Sequence, residues 1–218
     1  PEALAADLKH PVRHAFIATL PVSLILLASA AAMLFGPETW VAALWWTGSL
    51  TQFAVTLWVL ARWLSADRSQ GLSWAALTPV LFIPVVGNVL APLAGVMLGA
   101  PAWTAAQFGL GVLLWPVLLA LIGARIATQG LWPERLLPVT FISVAPPAVI
   151  GSGVLLLGGP LTLAWMCWGV ALFFVLWSGQ VVRRMLTQPL SIAFWSLGCP
   201  LAAFDALTNI PDSRLDAT

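Results

Sequence analysis

The residues that suggest a chemistry in this sequence are four prolines inside apolar stretches, namely Pro21, Pro84, Pro146 and Pro200, which recur at intervals of 63, 62 and 54 residues. A proline removes one backbone hydrogen bond from a helix and frees the carbonyl oxygen four residues before it. The half-helix that follows begins with N–H groups that lack partners and with the positive end of a helix dipole. The spacing therefore predicts several broken helices whose positive ends attract an anion weakly.

Only mild polar side chains accompany these prolines in the apolar stretches: Thr19, Ser23, Asn88, Thr140, Ser143 and Ser196. Each of them more often bonds a neighbouring helix than a solute. Asn88, four residues after Pro84, is the best exception, because the helix is already interrupted there. No Lys, Arg or His lies in the middle of any stretch, and the one nearby carboxylate is Asp205.

The composition identifies the environment in which these residues act. The chain has 218 residues, of which 61% are apolar and 8% are charged, and its mean hydropathy is +0.97. So few charges cannot cover the surface of a soluble domain, which excludes a cytosolic enzyme, a nucleic-acid binder and a disordered chain. Cys167 and Cys199 have no CxxC spacing, and His10 and His14 precede the first apolar stretch, so we expect no metal and no cofactor. Lys9 is the only lysine, which leaves no Schiff-base lysine for a retinal.

Seven apolar stretches are long enough to cross a bilayer as helices, at about residues 15–35, 40–61, 77–98, 103–124, 137–157, 161–182 and 190–207. The predicted fold is all-α, a polytopic membrane bundle of helical hairpins around a central pore. We expect one transmembrane domain over residues 1–208 and a tail over 209–218.

The cationic residues predict the orientation of these stretches. Eight of the nine lie before the first stretch or in alternate loops, at Lys9, Arg13, Arg62, Arg68, Arg125, Arg135, Arg183 and Arg184. The intervening loops at 36–39, 99–101 and 158–160 contain none, and only Arg214 departs from the pattern. The positive-inside rule then places the N-terminus in the cytoplasm and the C-terminus of this chain outside.

The stretches alternate between helices with interior prolines and smoother helices. Since an unsatisfied backbone group in lipid costs several kcal/mol, we expect the broken helices to lie inside the bundle and the smoother ones to face lipid. Two stripes of small residues support close approach there: Gly87, Ala91 and Gly95 on the third stretch, and Gly198, Ala202 and Ala206 on the seventh.

Several motifs in order resemble the tellurite-resistance/dicarboxylate transporter family, to which TehA and the slow anion channels of plant guard cells belong. The matching stretches are HPVR (10–13), FIATLP (16–21), IPVVGN (83–88), APLAG (91–95), WPVLL (115–119), APPAV (145–149), and Trp195 with PLAA (200–203). The resemblance implies ten helices as five hairpins around a pore, and trimers. On that register the sequence lacks the family's first two spans and its last.

The resemblance implies passive transport of small anions such as chloride, nitrate, sulfite or dicarboxylates. The expected pore-lining residues are Thr19, Pro21, Ser23, Pro84, Gly87, Asn88, Pro92, Pro146, Pro147, Cys199 and Pro200. Family members carry a pore-plugging phenylalanine where this chain has Cys199. The gate candidates are therefore Cys199 itself, Phe194 and Phe204.

Two other functions remain open at this point. A proton-coupled carrier of organic acids would make Asp205 important, because such carriers hold buried carboxylates. A non-transporting membrane subunit would only pack against partners. The expected location is a bacterial inner membrane, and the expected partners are the bilayer and small anions, with no nucleic acid. No nucleophile and base are placed together at membrane depth, so an enzyme is not expected.

Overall fold

The computed structural model describes residues 17–64, 74, 77–187 and 192–215, without the side chains of 192, 193, 195 and 210–215. The predicted all-α class is confirmed, since the described residues contain helices and no strand. Several residues used above lie outside the described part, namely Lys9, His10, Arg13, His14 and Arg68, as do the HPVR motif and the side chains of Trp195 and Arg214.

Each of the seven apolar stretches contains one helical segment, built from α-helices and short 3-10 helices. The α-helices are α1 (Thr19–Phe35), α2 (Thr39–Trp63), α3 (Phe82–Val86), α4 (Pro92–Gly95), α5 (Pro101–Gln129), α6 (Ala145–Leu156), α7 (Leu161–Gly179), α8 (Val182–Leu186) and α9 (Gly198–Leu215). The 3-10 helices are Pro79–Leu81, Gly87–Leu90, Glu134–Val144 and Ile192–Leu197. Helix α9 continues to Leu215 and so includes most of the segment that was predicted to be a tail.

The chain forms two compact units, which meet between Arg125 and Ile126. In the first unit, α1 packs along α2, and both contact the segment Pro79–Gly95. In the second unit, α6 packs against α7 and α9, and the 3-10 helix Glu134–Val144 contacts the 3-10 helix Ile192–Leu197.

Continuous and broken segments differ in burial as the prolines predict. Three segments are long and apolar enough to cross a membrane: α5, α7 and Glu134–Leu156. The broken segment Glu134–Leu156 is 83% buried in its apolar window, whereas the continuous helices α5 and α7 are each 22% buried. Burial shields the irregular backbone of a broken segment from lipid, which cannot supply hydrogen bonds. Thr19–Phe35 and Pro79–Gly95 are shorter apolar segments.

Two of the loops without cations share one turn, as expected for a repeat of hairpins. Gly99 and Gly158 have φ values of +78° and +80°, which residues other than glycine rarely adopt. The next N–H group reaches back five residues in each case, from Ala100 to the carbonyl of Gly95 and from Gly159 to that of Val154. This bond ends a helix in a Schellman motif, so the same glycine stop follows the second and third broken segments.

Candidate functional site

Each broken segment places a proline at the same position of an α-helix. Pro21, Pro84, Pro147 and Pro200 are the third residues of α1, α3, α6 and α9, and each of these helices follows a 3-10 turn. A first-turn residue has no N–H partner within its helix, so proline is tolerated there. The third member of the repeat is therefore Pro147 rather than Pro146, and the intervals become 63, 63 and 53 residues.

These prolines are buried, which agrees with the predicted interior position of the broken helices. Pro92, the first residue of α4, and Pro146, the second residue of α6, are buried as well. Pro116 is the one proline inside a long continuous helix of the described residues, and it is exposed on α5. Burial thus follows the broken segments rather than proline itself.

The first N–H groups of two of these helices are paired, which corrects one expectation. The N–H of Phe82 donates to the carbonyls of Pro79 and Val80, and that of Ala145 donates to Ile142. The 3-10 turn therefore continues its hydrogen bonding into the α-helix. The prediction that unpaired N–H groups at the breaks attract an anion is wrong at these two positions.

The carbonyl side of the break in Pro79–Gly95 is satisfied by side chains of α2. The Nε2 of Gln52 donates to the carbonyl oxygens of Ile83 at 3.1 Å and Pro84 at 3.2 Å. The hydroxyl of Thr56 lies 2.7 Å from the Pro84 oxygen. Gln52 and Thr56 are both fully buried. Helix α2 thus supplies the donors that the change from α to 3-10 geometry at Gly87 requires.

Asn88 belongs to the same buried network and does not face a solute in the described structure. Its Nδ2 donates to the hydroxyl of Thr56 at 2.7 Å, and its Oδ1 accepts from Nε2 of Gln107 at 3.0 Å. The hydroxyl of Ser49 donates to Oε1 of Gln107 at 2.6 Å and accepts from the indole N–H of Trp103. Asn88 is fully buried. Its amide joins α2 and α5 to the broken segment, so its predicted contact with a solute is not supported.

Sequence reasoning missed the side chains that form this network. Ser49, Gln52 and Thr56 are separated by three and four residues, which places them on one face of a helix. A polar face on an apolar span was the signal that could have identified them. Gln107 offers no comparable spacing, because its polar partners come from other segments.

The stripe of small residues on Pro79–Gly95 allows close packing within the first unit. A Cβ atom on Gly87 would lie 2.6 Å from Nε2 of Gln52, and one on Gly95 would overlap Trp45 and Thr104. Gly87 therefore makes room for a neighbouring side chain, a role different from the predicted one of lining a pore. The second stripe behaves differently, since Gly198, Ala202 and Ala206 are exposed on α9.

The second unit satisfies a broken segment in a similar way. The hydroxyl of Ser196 donates to the carbonyl of Pro138 at 2.8 Å. Pro138 lies inside the 3-10 helix Glu134–Val144, and Ser196 lies on the 3-10 helix Ile192–Leu197. The hydroxyl of Thr140 bonds the carbonyl of Leu137 in its own segment, and Ser143 is buried.

Three of the predicted pore-lining residues are exposed. Thr19 and Ser23 lie one turn apart on α1, and Cys199 is the second residue of α9, next to Pro200. All three are small and uncharged. Their position in a path is not fixed by burial alone, and it stays a prediction.

The gate candidates differ in their surroundings. The ring of Phe204 stacks on Trp168 of α7, with ring centroids 5.9 Å apart. The Trp168 indole N–H donates to Thr208 at 3.0 Å, which fixes the ring on which Phe204 lies. This contact holds Phe204 against a continuous helix and makes it the weaker candidate. Phe194 is half-buried on its 3-10 helix, and Cys199 is exposed.

Charged groups contribute little to the described part of the chain near these residues. Asp205 is exposed on α9. Arg184 and Glu134 form an exposed ion pair at 3.3 Å in the second unit. Within the described residues, no group of three His, Cys, Asp or Glu side chains comes together as metal ligands.

Buried broken segments beside continuous apolar helices define an integral membrane protein of the helical class. The family model described as voltage-dependent anion channel, SLAC1, matches residues 1–210, and the chain belongs to this family. The resemblance found in the motifs is thereby confirmed. Proteins of this family are channels and transporters rather than enzymes.

Curated relatives agree with this family. The chain is 25% identical over 232 residues to an uncharacterized transporter of Methanocaldococcus jannaschii, which covers 94% of this chain and 65% of the relative. It is also 25% identical over 213 residues to the S-type anion channel SLAH2 of Arabidopsis thaliana, with 95% of this chain and 40% of that protein aligned. The chain thus spans less than two thirds of the length of either relative.

Proposed function

We propose that this chain forms a passive path for small anions across a membrane, with the broken segments along the path and the continuous helices around them. The observation that carries this proposal is the difference in burial between Glu134–Leu156, at 83%, and the continuous α5 and α7, at 22%. A family model described as voltage-dependent anion channel supports the choice of solute.

The path is proposed to bind anions weakly. Thr19, Ser23 and Cys199 are exposed, small and neutral, so they offer an ion few strong contacts. Weak binding suits conduction, because an ion must leave as readily as it enters. Chloride, nitrate, sulfite and dicarboxylates are the proposed substrate class.

The proposed setting is a bacterial inner membrane, with the cation-rich loops in the cytoplasm and three copies of the protein in each assembly. The distribution of cations in the sequence supports this orientation. The trimer follows only from the family resemblance, and a mass measurement in a lipid nanodisc would test it directly.

Purified protein in liposomes is expected to release chloride when no pH gradient is present. The charge left behind must be balanced, so the efflux is measured with valinomycin and potassium inside the vesicles. A passive path needs no proton, and the rate is therefore expected to be unchanged by a protonophore. Asp205→Asn is expected to release chloride at the wild-type rate.

The alternatives give different results in the same assay. Flux that requires a proton gradient and is lost in Asp205→Asn would establish a proton-coupled carrier instead. No flux of chloride, nitrate, sulfite or malate from well-folded protein would favour a non-transporting subunit. Either result would overturn the proposed function.

A further inference from the structure

We propose that Gln52 and Thr56 determine the charge selectivity of the path by covering the backbone carbonyls that are displaced where segment Pro79–Gly95 breaks. This inference rests on the proposed function, because selectivity has meaning only if the chain conducts anions. It assigns to two residues of a continuous helix a role in choosing the ion, although they need not contact it.

The geometry supports covering rather than general packing. Gln52 directs one nitrogen at two carbonyl oxygens, those of Ile83 at 3.1 Å and Pro84 at 3.2 Å, and Thr56 reaches the second oxygen at 2.7 Å. The Oε1 of Gln52 has no hydrogen-bond partner among the described residues. Rotating the amide would bring that oxygen against both carbonyls, so the observed orientation favours the carbonyls at the expense of its own acceptor.

The shape of the broken segment keeps this arrangement in place. Gly87 lies beside the Gln52 amide, and a Cβ atom there would lie 2.6 Å from Nε2 and 3.1 Å from Cδ of Gln52. Any side chain at this position would displace the amide from the carbonyls. The glycine that the sequence pattern assigned to a pore wall thus leaves space for the covering residue.

Uncovered carbonyls would favour the wrong ion. Channels that select cations line their filters with backbone carbonyl oxygens, which replace the hydration shell of the cation. In a path without fixed charge, a few exposed carbonyl dipoles are enough to change which sign of ion passes. Donors on Gln52 and Thr56 hold two such oxygens against α2, where a permeating cation cannot use them.

The second unit shows the same arrangement independently. Ser196 covers the carbonyl of Pro138 at 2.8 Å, and that carbonyl also belongs to a broken segment. Two broken segments thus have displaced carbonyls bonded to side-chain donors. At the two junctions described above, the first N–H groups of the α-helices are paired as well, so hidden acceptors rather than free donors account for the preference.

The test measures the chloride-to-potassium permeability ratio from the reversal potential of the reconstituted protein under a potassium chloride gradient. Gln52→Met keeps the side-chain volume and removes the donors, and Thr56→Val removes the hydroxyl. The double variant is expected to lower the ratio about fivefold, the effect of one helix-dipole interaction of ordinary strength. Each single variant, and Ser196→Ala in the second unit, is expected to lower it by less.

Gln107→Met is the matched control. Gln107 is buried in the same network and bonds Ser49 and Asn88, but it does not contact the carbonyls of Ile83 or Pro84. It is expected to lower stability and to leave the permeability ratio unchanged. Melting temperatures of all variants separate loss of folding from loss of selectivity.

The outcomes distinguish the inference from the function on which it rests. A wild-type protein that passes no anions would overturn both. Anion flux in the wild type with an unchanged ratio in Thr56→Val, Ser196→Ala and any folded Gln52→Met variant would overturn the inference alone. An equal loss of selectivity in Gln107→Met would also overturn it, because the effect would then follow stability.

Discussion

Cys199→Phe is expected to lower anion flux at least tenfold, which corresponds to roughly 1.4 kcal/mol of added barrier. Cys199 is exposed as the second residue of α9, and a Cβ atom on the adjacent Gly198 would have no neighbour within 4 Å. A phenyl ring therefore has room to extend into the space beside Pro200 without disturbing the helix. The family resemblance implies a plugging phenylalanine at this position. The flux is measured by chloride efflux from liposomes.

Two variants show whether the position of the ring matters. Cys199→Ala is expected to conduct as the wild type does, because it leaves the space open. Met166→Phe adds a ring to α7, where Met166 is 62% exposed, and is expected to leave the flux unchanged. Wild-type flux in Cys199→Phe would remove this residue from the path. An equal loss in Met166→Phe would show that added aromatic bulk acts through the membrane rather than the path.

The alternation of broken and continuous helices could be predicted from the sequence because its cause is local. A proline changes the backbone wherever it occurs, and lipid penalises the result everywhere in the membrane. The same reasoning could not show that the segments contain 3-10 helices before the prolines. The 11-residue 3-10 helix Glu134–Val144 contacts the 3-10 helix Ile192–Leu197, and such contacts between distant segments leave no periodic signal in either.

The functions of individual polar residues were harder to predict than the fold. Asn88 follows a break and is polar, which suggested contact with a solute, yet its partners Thr56 and Gln107 lie 32 and 19 residues away in sequence. Phe204 was a reasonable gate candidate until its stacking on Trp168 was seen. In both cases the side chain is used by a tertiary contact that composition and spacing do not reveal.

Gly95→Ala is expected to destabilise the protein by about 2 kcal/mol, within the range for overpacking a well-filled interior. The new methyl group would overlap the ring of Trp45 and the hydroxyl of Thr104, both of which are fully buried. Trp45 cannot move aside easily, because its ring also packs edge-on against Trp46 at 5.1 Å. For a chain of this length, the loss corresponds to a melting temperature lower by about 4–8 °C.

Gly109→Ala is the matched control, since it places the same methyl group on α5 where nothing lies within 4 Å. Alanine is a better helix former than glycine by about 0.5–1 kcal/mol, so this variant is expected to melt at or slightly above the wild-type temperature. Both are measured in the same detergent, with anion flux recorded after reconstitution. If Gly95→Ala were as stable as Gly109→Ala, the close packing of Pro79–Gly95 against α2 and α5 would not be the feature that holds the broken segment in place.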